Sequence, residues 1–114
     1  MTVNNLFLAD KSSMIQVTDA VHAKGSFIYA QIVAMGRTAD TEDLPEGVDV
    51  VSSGNVASPP GSFGGLETPR PLTVEEVDEY AELFAQAARN AVVAGFDGIE
   101  VHGANGACVL ARIG

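Results

Sequence analysis

The stretch TVEEVDEYAELFAQAARNAVVAGFDGIEVH, residues 73–102, decides how this chain folds. Thr73 and Glu76 form a capping box, in which each side chain satisfies a free amide at a helix start. Val77, Tyr80, Ala81, Phe84, Ala88, Ala91 and Val92 recur at helical spacing and make one apolar stripe, while Glu75, Glu79, Glu82 and Arg89 fall elsewhere. The pattern predicts a helix over 74–94. Gly95 ends it, because glycine readily takes the left-handed conformation that follows a last turn. Residues 97–102, DGIEVH, then read as a strand. Ile99 and Val101 point to one face, and Gly98, Glu100 and His102 to the other.

Moving towards the N-terminus, residues 36–72 hold eight glycines or prolines from Gly54 to Pro71 alone and read as a long irregular segment. Loops longer than about 12–15 residues are usually lids or linkers. Within it, pieces such as VDVVSS are apolar enough to pack locally. Before it, SFIYAQIV at 26–33 reads as a strand that is apolar on both parities, which suits cover on both faces as in a parallel sheet. Residues 10–24 read as a helix, with Asp10 placed to cap its start, Met14, Val17 and Val21 as its apolar residues and Gly25 as its stop. The order is helix, strand, long loop, helix, strand. That order predicts an α/β fold in which strands 26–33 and 97–102 are parallel neighbours and helix 74–94 covers one face.

Composition narrows the function. The chain has 114 residues, one domain at most, and a net charge of −9. Its six basic residues are scattered, whereas a nucleic-acid surface needs them clustered to displace counterions. Nucleic acid and anionic membrane are therefore rejected as partners. Most acidic residues lie in 40–49 or on the polar helix face, where solvent accounts for them. Cys108 is the sole cysteine, so no internal disulfide forms, and a reducing, cytoplasmic location is expected. The start MTVNNLFLAD has no basic lead of a secretory signal, and no apolar stretch approaches the roughly 20 residues of a membrane helix.

In parallel α/β folds, sites form at the carboxyl ends of strands. Two polar clusters sit at such ends: Gln31 with Gly36 and Arg37, and His102 with Asn105 among glycines. Taken alone, Gln31 reads equally as a hydrogen-bonded core amide and His102 as a structural histidine, while Asn105 between glycines is more often a turn residue than a ligand contact. Gly103-Ala-Asn-Gly106 lacks the spacing and the lysine of a phosphate loop. His22 and His102 are far apart in sequence and no metal cluster is visible, so no metal is expected and His22 reads as structural.

Three segments carry a more specific signal: AVHAKGSFIYAQIVAMGR at 20–37, the TPRPLT lead into the helix, and AGFDGIEVHGANG at 94–106. They closely resemble the third and fourth barrel units of the Old Yellow Enzyme family, over roughly residues 17–106. The resemblance implies a partial (β/α)8 barrel, with the whole chain as a single fragment of an FMN-binding domain. It also implies reduction of activated C=C bonds, such as those of small enones, with NAD(P)H as reductant. Gln31 matches the glutamine that hydrogen-bonds the flavin's pyrimidine edge, and Ala30 a small residue beside the ring. His102 and Asn105 match the pair that donates to the substrate carbonyl. Such a pair makes physical sense, because fixed donors stabilise the charge that hydride addition pushes onto that oxygen.

The sequence departs from the family in three places. Ala107 stands where the family usually has its tyrosine proton donor, and Val33 where it has an aromatic residue. The resemblance also fades over the first ten residues and after Gly106, which reads as truncation, a splice variant or a faulty gene model. A full barrel needs about 250 residues; two strands leave out the family's first-strand flavin contacts and its phosphate-binding arginines. The competing class is accordingly a non-catalytic fragment or pseudoenzyme without flavin, with another flavin or phosphate-binding barrel enzyme as a third.

Overall fold

A computed structural model describes residues 11–62 and 64–104. The order of elements follows the sequence pattern: helix α1 (Lys11–His22), strand β1 (Tyr29–Ile32), short strands β2 (Val51–Ser52) and β3 (Arg70–Pro71), helix α2 (Val74–Val93) and strand β4 (Gly98–Val101). Asp10, proposed as the cap of α1, lies outside the described residues.

The chain divides into two compact units. One contains the described residues up to Ile32 together with Tyr80–Val101; the other contains Val33–Glu79 and continues from His102. In the first unit, β1 and β4 pair in parallel, Tyr29 with Gly98, Ala30 with Ile99, Gln31 with Glu100 and Ile32 with Val101. This is the pairing that the strand–helix–strand alternation predicts. The core of the unit includes Ala30, Ile32, Phe84, Ala87, Ala91 and Ala94. The buried residues of α2 are Phe84, Ala87, Asn90 and Ala91.

The expectation of cover on both faces of β1 is not met. Burial alternates along the strand: Tyr29 is 66% exposed and Gln31 is exposed, while Ala30 and Ile32 are buried. Both parities are apolar enough for cover, yet only one is covered by the described residues.

Helix α1 also differs from its pattern. Val17 is 51% exposed, and the buried residue of the helix is Thr18. Its hydroxyl lies 2.8 Å from the carbonyl oxygen of Ala94 and 2.9 Å from that of Ile15. The hydroxyl thus anchors α1 to the carboxyl end of α2. Gly95 takes φ of +90°, and the amides of Gly95 and Phe96 close the last turn on the carbonyls of Val92 and Ala91. A side chain at Gly95 would also crowd Thr18, since its Cβ would stand 2.8 Å from the hydroxyl.

In the second unit the long segment is structured. Two 3-10 turns, Gly36–Thr38 and Thr41–Asp43, precede β2. The β2–β3 pair is parallel, with Val51 beside Arg70 and Ser52 beside Pro71. Val50 and Ser52, from the piece VDVVSS, are buried as expected of local packing. The capping box at the start of α2 is present: the Thr73 amide donates to Glu76 Oε2 at 2.8 Å, and the Glu76 amide to Thr73 Oγ1 at 3.2 Å.

Candidate functional site

The register Ile32 with Val101 sets the carboxyl ends of β1 and β4 side by side. Gln31 is the penultimate residue of β1, and His102 follows directly on β4. Strand alternation puts Tyr29 and Gln31 on one face, with Gly98 and Glu100 as their register partners on the same face. This face is open. Gln31 and Glu100 are both exposed, and neither has a hydrogen-bond or ion-pair partner among the described residues.

Gly98 shapes the face one step deeper. The Tyr29 ring lies across it so closely that a Cβ at residue 98 would strike ring carbons Cε1 and Cδ1. A glycine in a strand often marks such a close approach. The result is an aromatic ring flush against the sheet, below an amide and a carboxylate.

The residues predicted to serve the site fare differently. Gln31 has an exposed carboxamide near the sheet's carboxyl end, without a side-chain partner among the described residues, offering one acceptor and two N–H donors. That donor set fits the pyrimidine edge of a flavin, which presents an N–H between two carbonyl oxygens. Ala30 does not join Gln31: its side chain is 6% exposed and turned to the opposite face. Any contact from residue 30 to a ring beside Gln31 must therefore come from its main chain. His102 is half-buried. Asn105 and Ala107 lie outside the described residues. Among the described residues no group of His, Cys, Asp and Glu has a metal-binding arrangement, and no helix is long and apolar enough to cross a membrane.

Two polar clusters were not read from the sequence. At the amino ends of the strands, Asp97 Oδ2 accepts from the Ile28 amide at 2.8 Å and contacts His22 Nε2 at 2.9 Å, while the Asp97 amide donates to the Ile28 carbonyl. The His22 contact and the Ile28 amide together hold the Asp97 carboxyl below its ordinary range. His22 thus meets Asp97 at the amino ends of the strands, the end opposite to Gln31. The second cluster is centred on Arg70. Its guanidinium makes a two-pronged pair with Glu76, at 2.8 and 2.9 Å, and reaches Asp49 at 3.1 Å. The Arg70 bond, aided by the Thr73 amide, draws the Glu76 carboxyl down to about 2. The signal in the sequence was an arginine between two prolines just before a capping glutamate.

Comparison with known proteins identifies the fold and the family. The chain is 50% identical over 92 residues to an NADP-dependent oxidoreductase of Aspergillus flavus, covering 80% of this chain and 23% of that one. It is 52% identical over 93 residues to a protein of Epichloe festucae var. lolii named "probable inactive reductase", with 80% and 23% covered. It is 46% identical over 101 residues to a Leishmania infantum protein named "probable flavin mononucleotide-dependent alkene reductase", with 80% and 28% covered. The chain thus spans about a quarter of the length of the curated relatives it matches. The solved Old Yellow Enzyme homologue of Zymomonas mobilis superposes with a TM-score of 0.74 at 28% identity, over 88% of this chain and 29% of that one. The fold is accordingly part of an α/β barrel. The model of the NADH:flavin oxidoreductase / NADH oxidase family matches residues 8–110, and the chain belongs to that family.

Proposed function

We propose that the protein is an FMN-dependent oxidoreductase that reduces activated C=C bonds of small α,β-unsaturated carbonyl compounds, with NAD(P)H as reductant. The observation that carries this reading is the exposed Gln31 carboxamide near the carboxyl end of β1, beside the strand that leads into His102. FMN, when bound, supplies the hydride chemistry. Gln31 holds the flavin's pyrimidine edge, and residue 30 contributes through its main chain. His102 and Asn105 orient the substrate by its carbonyl oxygen and stabilise the charge that develops there. On this reading residues 1–114 are a single piece of the barrel, its third and fourth βα units, and the location is cytoplasmic.

A second reading, a non-catalytic member of the family, has its own support. Ala107 and Val33 depart from the family pattern, and a relative 52% identical carries the name of an inactive reductase. Two measurements separate the readings. FMN titration of the purified chain, with Gln31→Ala as control, tests the cofactor. NADPH oxidation with cyclohexenone in excess FMN, with His102→Ala as control, tests the reaction. Flavin binding without His102-dependent turnover favours the non-catalytic reading; loss of both overturns the proposal.

A further inference from the structure

The segment from β1 to α2 is held by an ionic clasp at its base and meets itself again near its start. At the base, the Arg70 amide donates to the Val50 carbonyl at 2.8 Å and the Leu72 amide to that of Ser52 at 2.9 Å. The Arg70 side chain then reaches both ways, to Asp49 before the loop and Glu76 in the first turn of α2. Its Nη1 also donates to the Pro71 carbonyl at 3.1 Å. Away from the base, the strap between β2 and β3 lies against the turn that follows β1. Ser58 Oγ donates to the Arg37 carbonyl at 3.0 Å, in a buried setting, and Thr41 Oγ1 to Glu67 Oε1 at 3.1 Å. Gly64, at φ +86°, packs so tightly that a Cβ there would strike the Thr38 carbonyl oxygen; at Gly65 it would stand 2.9 Å from that of Ala39.

We propose that Arg70 is a latch: its ion pairs hold the strap closed, and the strap in turn fixes the turn at 36–41 that leads away from Gln31. Isolated surface pairs contribute little. Here one guanidinium is shared by a two-pronged pair and a second carboxylate, so the three groups act as a network. The side-chain bonds at Ser58 and Glu67 are polar, and a latch at the base decides whether they form together. The described partners of the Arg70 side chain are Asp49, Pro71 and Glu76, none of them a candidate site residue, so it acts as a positioning residue. The latch is electrostatic and half-exposed, with the Arg70 side chain at 43%, so it opens with salt. At 1 M ionic strength the screening length falls to about 3 Å, comparable to the bonds themselves. The inference stands apart from the flavin reading and needs no cofactor.

Amide hydrogen exchange of the 114-residue chain tests it. The Thr38 and Ala39 amides bond to the Met35 and Gly36 carbonyls, and the Ser62 amide to that of Pro59, so all three report protection. Arg70→Ala should speed exchange at these amides about tenfold, leaving those of β1 and β4 unchanged. Arg70→Lys, which keeps the charge but not the fork, should fall between. High salt should bring the wild type to the Arg70→Ala rate. Unchanged exchange at Thr38, Ala39 and Ser62 in Arg70→Ala overturns the latch, and so does a rise spread evenly over the chain. Should Arg70→Ala not fold, Glu76→Gln and Asp49→Asn each remove one partner and must reproduce the same local pattern, or the proposal is wrong.

Discussion

Thr18→Val removes a hydroxyl and keeps the shape of the side chain. Thr18 is 1% exposed, and the Ala94 residue whose carbonyl it serves is also 1% exposed. Two effects compete. A buried carbonyl left without its donor costs about 1–3 kcal/mol. Replacing a hydroxyl by a methyl removes the cost of burying a polar group and adds apolar burial of about 0.8 kcal/mol per carbon. The Ile15 carbonyl also loses its share of the hydroxyl, but it lies in the first part of α1 with helical amides to serve it, so Ala94 decides the sum. The expected net effect is a loss of up to about 2 kcal/mol, or up to roughly 8 °C in Tm for a chain of this size. Thr18→Ser keeps the donor, loses one methyl and should cost about 0.5–1.5 kcal/mol. Thr18→Ala loses both and should be worst. Urea unfolding followed by far-ultraviolet circular dichroism measures all three, with an unchanged m-value as the sign that the same transition is compared. A Thr18→Val chain as stable as wild type, beside a clearly destabilised Thr18→Ser, would refute the hydroxyl as the anchor of α1 and leave only its methyl.

Four further outcomes follow from the structure. Ile32→Ala, at a residue 1% exposed, should cost about 2–5 kcal/mol by the same unfolding measurement. Gly98→Ala should shift the Tyr29 ring resonances in a proton NMR spectrum while changing stability by less than about 1 kcal/mol, because a ring that is 66% exposed has room to swing away. The Glu76 carboxyl is lowered from 4.5 to about 2 in the folded chain; its contribution is present above pH 4.5 and is lost as pH falls through about 2. Acid titration of stability should therefore drop across that window, less steeply in Arg70→Ala. Enone reduction in excess FMN should run about 10²–10⁴-fold below common enzyme turnover, because Ala107 offers no proton to the α-carbon; cyclohexenone-dependent NADPH oxidation at ordinary rates would contradict this.

The elements that were legible in the sequence are those whose signals are local. Thr73, Glu76 and the alanine-rich stripe define α2 within one stretch, and Gly25 and Gly95 mark helix stops by backbone geometry alone. The parallel pairing of β1 with β4 also followed, since one helix joins two strands. Contacts between distant residues were not legible. Thr18 bonds a carbonyl 76 residues away, and nothing in the spacing of Met14, Val17 and Val21 points to it. The β2–β3 pair is two residues long on each side, too short for a periodic pattern, and the Arg70 network that reinforces it joins Asp49 to Glu76 across the long segment. The opposite facing of Ala30 and Gln31 has a plainer reason. Adjacent residues of a strand face opposite ways, and burial of Ala30 with exposure of Gln31 obeys that rule. The tight fit of Tyr29 over Gly98 was likewise hidden, because it depends on a register that only the paired strands fix.

The most direct test of the central claim, that the open end of the β1–β4 pair is a flavin-binding face, is the affinity of the 114-residue chain for FMN with and without the Gln31 carboxamide. FMN is titrated into wild type, Gln31→Ala and Gln31→Glu while flavin fluorescence is followed. The account predicts saturable binding to the wild type, weakened about tenfold or more in Gln31→Ala, since hydrogen bonds lost from a covered ring edge together cost on the order of 1–3 kcal/mol. Gln31→Glu, which offers no donor, should be weaker still. Wild-type binding that is absent, or unchanged by both substitutions, would contradict it.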